Sequence, residues 1–260
     1  MSGPMSANDH PVVGVIGGMG PDATVDLMRR VICATPAKDD ADHIHLLVDN
    51  NPKVPSRIAA LVDGHGESPA PVLVQMAQNL ERAGADLLAI PCNTAHAYLE
   101  HIRSGVAIPV LDMIQMTADR LTGLYSQPET VGIIASSAVL KTKLYAKALE
   151  AHGLDVVLPT LADQDAVMAL IKKVKSGQVS IADHQRFSDI ANCLVESGAQ
   201  TIAVACTDLS VMGQDGLISD VPLIDALDVL TEAIVTCVDR LVQPPVHDSI
   251  QGVQLSLIHI

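Results

Sequence analysis

Two of the five cysteines in this 260-residue chain are set apart by the residues around them. Cys92 follows Pro91 and precedes Asn93, Thr94 and His96, while Cys206 precedes Thr207 and Asp208. Free cysteine is among the most buried residue types and packs as a small hydrophobe, and a core position has no use for such polar company. Both cysteines sit where a short apolar run gives way to a helical pattern. Unpaired N–H groups and the positive end of a helix there favour a thiolate over the unperturbed thiol, which titrates near ~8.5. A thiolate on one side of a carbon centre and a thiol on the other can take a proton from one face and return one to the opposite face. A single cysteine would tend to hand the proton back where it came from. Cys33, Cys193 and Cys237 fall inside helical patterns and are assigned to packing.

The setting of the two cysteines is repeated. LERAGADLLAIPCNT (80–94) and LVESGAQTIAVACTD (194–208) each run from a helix end through Gly-Ala into a strand and then a cysteine. Gly84 precedes Cys92 by eight positions, and Gly198 precedes Cys206 by eight. Upstream, VVGVIGG (12–18) matches TVGIIAS (130–136). Two similar α/β units of roughly a hundred residues each follow.

Strands and helices alternate throughout. Strands are expected at 12–18, 45–50, 86–93, 107–112, 130–136, 155–160, 201–206 and 221–225, with long helices over 21–35 and 69–84 among others. That rhythm gives parallel sheets with helices on their faces and functional residues at the carboxyl ends of the strands. The fold class is α/β, with two pseudo-symmetric units whose packing would bring both strand ends to one shared cleft. The expected bounds are 11–117 for the first unit and 118–224 for the second. Residues 1–10 and 243–260 are expected to be flexible tails.

Composition narrows the function. Lys+Arg 16 against Asp+Glu 30 leaves a net charge of -14, which argues against a nucleic-acid or anionic-membrane surface. With no Trp, one Phe and three Tyr, stacking platforms for single strands are lacking as well. No apolar run approaches the ~20 residues of a membrane span. The odd, widely spaced cysteines and a start without signal-peptide character lead to the expectation of a cytoplasmic protein. Gly14, Gly17, Gly18 and Gly20 lack the spacing of a dinucleotide fingerprint. His43 and His45 alternate on one strand face with no third metal ligand near in sequence. A non-catalytic amino-acid-binding protein would need neither thiol.

Taken in order, VGVIGGMGPDAT, DNNPKVPSR, IPCNTAH and ACTDLS resemble the aspartate/glutamate racemase family, and its aspartate racemase branch most, from about Val12 to Leu241. The glutamate racemase branch differs by an Asp-Ser opening where this chain has Gly18-Met19-Gly20, and by a His where it has Asp208. The resemblance implies a cofactor-independent racemase of a small amino acid, with two Rossmann-like domains, an active site in the interdomain cleft, a C-terminal helix at 225–242 that returns to pack on the first domain, no metal and a homodimeric state. It makes Cys92 and Cys206 the catalytic pair. Asn93, Thr94 and Thr207 would hold the substrate α-carboxylate and amino group, and Asn51 and Arg57 fall in a segment where Arg57 would clamp a side-chain carboxylate. Met19 and Gly20, with Ser136 and Ser137, match loops that line the site. Two departures bear on the substrate. Asp165 stands where aspartate racemases are expected to carry a Lys before Val167-Met168, and Ala205 replaces the usual glycine before the second cysteine. An Asp165 facing the cleft would repel the side-chain carboxylate of aspartate and leave glutamate, with its carboxylate one methylene further out, a basic or neutral amino acid, or an unusual one as the alternatives. Another isomerisation or a decarboxylation on the same scaffold is the neighbouring alternative, and such relatives tend to keep one cysteine.

Overall fold

The computed structural model describes residues 10–124, 130–212 and 221–242. Apart from His10, the expected tails lie outside the described residues.

The first sheet is built from β1 (Val12–Gly17), β2 (His45–Asn50) and β3 (Leu87–Ala89), in the order β2-β1-β3 and all parallel. The second uses β4 (Thr130–Ala135), β5 (Asp155–Val157), β6 (Thr201–Ala205) and β7 (Leu223–Asp225), in the order β5-β4-β6-β7, again all parallel. The helices are α1 (Pro21–Ala34), α2 (Ala70–Arg82), α3 (Leu99–Arg103), α4 (Met113–Gly123), α5 (Ser137–Thr142), α6 (Leu144–Ala151), α7 (Leu161–Lys175), α8 (Ile181–Glu196) and α9 (Ala226–Val242). β1, β3 and β6 are buried on both faces, which is why they read as unbroken apolar runs rather than as alternating ones.

Strand alternation distributes the core. Val13, Val15, Leu87 and Ala89 pack with Leu27 of α1 and Leu227, Leu230 and Ile234 of α9. Ile16, Leu88 and Ile90 face the opposite way, onto Leu73, Met76 and Leu80 of α2. In the second sheet, Ile134, Ile202 and Val204 meet α7 and α8, while Val131, Ile133 and Ala203 meet Tyr145 and Leu149 of α6. α4 serves both sheets: Met113 and Met116 join the first core, and Ile114, Ala118 and Leu121 join the second. The expected domain junction at 117/118 falls inside this helix.

The repeat holds at the level of register. Gly14 pairs with Leu88 and Gly132 with Ile202, and each partner lies four residues before its cysteine. A Cβ at Gly14 would run into Leu88, Ala85 and Leu80; at Gly132 it would meet Ile202, Ala199 and Leu194 at nearly the same distances. These residues occupy matching positions in the two halves.

Three expectations need correcting. Segment 107–112 contributes only an isolated bridge, Leu88 to Val110, because Pro109 has no N–H with which to extend a ladder. Cys33 and Cys193 are exposed on helix flanks rather than packed, whereas Cys237 is half-buried against the first core. The cysteines do not cap long helices either. Cys92 precedes the 3-10 turn Asn93–Tyr98, and Cys206 leads through a turn to the three-residue 3-10 segment Ser210–Met212. Among the described residues no helix is long and apolar enough to cross a membrane, and no group of three or more His, Cys, Asp or Glu is arranged to hold a metal ion.

Candidate active site

The carboxyl ends of β1, β3, β4 and β6 converge, as they do at crevices in open parallel sheets. Between them lies a cavity of ≈ 420 Å³, within the range of small-molecule sites. Cys92 and Cys206 both line it, as do Asn93, Thr94, Ser136 and Thr207 from the same strand ends. Met19, Gly20 and Arg57 close it from the first half. Asn51 and Ser137 lie outside the lining. Asn51 Oδ1 accepts the Lys53 N–H at 2.9 Å, and Ser137 Oγ accepts Gln164 Nε2 at 3.1 Å.

The loop after β1 is shaped by glycine and Thr24. Gly18 has φ of 90° and its Cα presses on the Asn51 backbone, so that a Cβ would stand 2.3 Å from that carbonyl carbon. Thr24 Oγ1 accepts the Gly18 N–H at 2.9 Å and donates to the Gly20 carbonyl at 3.1 Å. Gly20 is thereby brought against the far wall, where a Cβ would be 3.0 Å from Asp208 Oδ1.

Hydrogen bonds join the two halves around the cavity. Thr207 Oγ1 donates to the Pro91 carbonyl at 3.0 Å, and the Thr94 and Ser136 hydroxyls are 3.2 Å apart. Tyr145 on α6 donates its hydroxyl to Asn93 Oδ1 at 2.6 Å. Because that oxygen is taken, Asn93 presents its amide donor, and Asn93 Nδ2 is buried with no partner among the described residues. Arg57 Nε is in the same condition, while the Arg57 Nη atoms donate to the Val54, Pro55 and Met19 carbonyls. Asn93 and Arg57 both line the cavity, and each keeps one buried donor without a partner among the described residues, a rare state for such groups.

Charge is distributed unevenly between the thiols. Burial pushes the Cys206 thiol well above its usual range, and the Asp208 carboxylate adds to this. The Asp208 N–H and Lys175 oppose the rise, and Cys92 reinforces it. The sequence led to the opposite expectation: the short 3-10 turn offers little dipole, and desolvation outweighs it. Burial also raises Asp208, against the pull of Lys175, whose Nζ lies 2.7 Å from Asp208 Oδ2. His96 is buried and its pKa is lowered by burial. Nε2 of His96 accepts the Met113 N–H at 3.1 Å, so Nδ1 carries the proton and donates it to the Cys92 carbonyl at 3.0 Å. This ring is a clamp on the turn after Cys92.

Asp165 is exposed and absent from the cavity lining, so the repulsion it would bring does not arise. The cation that lines the wall is Lys175, at the end of the same helix, one turn after Ile171, which lines it too. Sequence reasoning missed Lys175. The i,i+4 spacing from Ile171 was the available signal, but reading it requires the phase of α7. Tyr145 was also missed, and no local pattern marks it.

Comparison with known proteins agrees with this geometry. The chain matches the Asp/Glu/Hydantoin racemase family over residues 16–234. It is 27% identical over 231 residues to the broad specificity amino-acid racemase RacX of Bacillus subtilis, covering 86% of this chain and 97% of that one. Among solved structures, the aspartate racemase of Picrophilus torridus superposes with a TM-score of 0.78 at 27% identity, covering 89% of this chain and 99% of the other. Glutamate racemase of Francisella tularensis shares the fold with a TM-score of 0.63 at 18% identity, over 96% and 91% of the two chains.

Proposed function

The chain belongs to the Asp/Glu/Hydantoin racemase family and is an amino-acid racemase, and we propose that it inverts acidic amino acids, aspartate first, by two-base proton transfer between Cys92 and Cys206 without pyridoxal phosphate. The observation that carries this reading is the meeting of both cysteines on one cavity whose walls also hold Arg57 and Lys175. One thiolate takes the α-proton, the opposite thiol gives its own proton to the other face, and the turnover ends with the two sulfurs' protonation states exchanged. Burial and Asp208 favour the protonated form of Cys206; it is the acid for one enantiomer and, with the roles reversed, the base for the other.

The α-proton is far less acidic than a thiol, so negative charge growing on the α-carboxylate must be met by fixed donors. Asn93 Nδ2 and the Thr94 hydroxyl are candidates on the lining. Arg57 and Lys175 suit the side-chain carboxylate, Arg57 by a forked ion pair. A second reading, a broader substrate range, rests on one observation: Lys175 is already paired with Asp208. That pairing leaves part of its charge answered before a substrate arrives.

Protein purified without added cofactor should exchange the α-hydrogen of aspartate for solvent deuterium and produce both enantiomers. Cys92→Ser and Cys206→Ser should each abolish inversion. Full activity in either variant removes the two-thiol mechanism, and a preference for neutral over acidic substrates removes the aspartate assignment.

A further inference from the structure

The residue four past each cysteine ties its turn to the start of a later helix. In the first half this is His96, which bridges the Cys92 carbonyl and the N–H of Met113, where α4 begins. In the second half it is Ser210, 2 % exposed, whose hydroxyl donates to Asp225 Oδ1 at 2.8 Å. Asp225 closes β7 immediately before α9, and the same oxygen accepts the Leu227 N–H at 3.0 Å. Its other oxygen, Oδ2, accepts Arg30 Nη1 at 2.8 Å. Arg30 belongs to α1, the helix whose first residues, Pro21 and Asp22, line the cavity from the opposite side.

A buried ion pair of this kind is poor evidence of added stability, because desolvation takes back most of the attraction. Burial opposes the Arg30 charge, yet Asp26, Asp225 and Asp228 together hold it firmly ionised. The network therefore calls for a role in placement. Its limb into the site is short. Leu209 N–H donates to the Cys206 carbonyl at 2.8 Å, which locks the turn that Ser210 ends. Inside that turn, the backbone N–H of Asp208 favours the thiolate form of Cys206.

We propose that Ser210 and Asp225, braced by Arg30, form a positioning relay that holds the Cys206 turn in register with the first half, as His96 does for Cys92. The inference rests on Cys206 being one of the two working thiols. In Ser210→Ala only the limb into the turn is cut, and the Arg30–Asp225 pair remains. The variant loses one hydrogen bond to a buried carboxylate that keeps its Leu227 and Arg30 partners, so it should melt a few degrees below the parent and stay folded at the assay temperature. Its kcat should fall by between about tenfold and a hundredfold, the loss expected when a reacting group is displaced by up to an ångström, with KM little changed. Alkylation of Cys206 by iodoacetamide, followed by peptide mass spectrometry across pH, should shift to higher pH as the Asp208 N–H drifts from the sulfur. The charged and titrating groups facing that sulfur, Asp208, Lys175 and Cys92, are unchanged in the variant. Asp225→Asn, which keeps an oxygen for Ser210 but sets an amide against the buried Arg30, should lower the melting temperature as well as kcat, and Asp189→Asn, at an exposed position of α8 outside these contacts, should leave both readouts at parental values.

A Ser210→Ala enzyme with parental kcat and a parental alkylation profile overturns the relay. If Cys206→Ser is inactive in the same series, only the relay falls. If Cys206→Ser keeps full activity, the reading on which the relay rests falls with it.

Discussion

Replacing Tyr145 by Phe removes a single oxygen and leaves the buried ring in the second core untouched. That oxygen makes the 2.6 Å bond to Asn93 Oδ1, from α6 of one half to the cavity wall of the other. Burial keeps the phenol protonated, so it serves as a donor at any working pH. Without it, the Asn93 carbonyl is left in a site that is 2 % exposed, and leaving a buried acceptor unmade costs about 1–3 kcal/mol. For a chain of this size each kcal/mol moves the melting temperature by about 2–4 °C, so the variant should melt roughly 2–12 °C lower. Activity should suffer separately. An amide no longer held by its oxygen can flip, and kcat should then fall if the Asn93 donor serves the carboxylate as proposed. Racemisation followed by chiral chromatography at saturating aspartate, with melting followed by circular dichroism, reads both effects. A Phe variant with parental melting and parental kcat would refute the claim that this bond orients the Asn93 donor. A lower melting temperature with unchanged kcat would reduce Tyr145 to a brace between the halves.

The other predictions are narrower. Arg57→Ala and Lys175→Met should each raise KM for aspartate far more than for a neutral amino acid, the first because a forked pair is lost and the second because a single charge is; equal losses on both substrates would show that neither cation meets the side chain. Asp183, at the start of α8, receives hydrogen bonds from Lys173 Nζ at 2.5 Å and from the Ser180 hydroxyl and N–H, and these hold its carboxyl down at about 2. Its depressed pKa means that its contribution to stability is present above the unfolded carboxylate range near ~4 and is lost as pH falls toward 2. Asp183→Asn should accordingly flatten the acid side of the melting-temperature profile, and an unchanged acid limb would count against the assignment.

Much of this architecture was legible because the repeat is written in residue types that the packing requires. Gly14 and Gly132 leave room for Leu88 and Ile202, and both turns from helix to strand use glycines at φ near 100°. Eight-residue spacing to each cysteine then follows from one shared geometry. What local patterning could not carry was burial. The direction of the Cys206 shift depends on how much water the closed halves exclude, and that quantity belongs to no single motif. Lys175 and Tyr145 were hidden for a related reason: the first reaches the cavity, and the second reaches Asn93, through the phase of a helix packed on the second sheet.

The divergence between the halves is as informative as their likeness. Aligned on the cysteines, Asn93 corresponds to Thr207, Thr94 to Asp208 and His96 to Ser210. The residues that follow Cys92 are therefore neutral, with an amide held by Tyr145, while those that follow Cys206 include an Asp208 paired with Lys175. A symmetric pair of bases alone would treat both faces of a carbon alike, yet the substrate is chiral and its carboxylate, ammonium and side chain must each find a different partner. In the proposed mechanism the repeat supplies the matched thiols, and the three substituted positions beside them supply the handed surroundings in which one orientation of the guest would be held while its proton crosses.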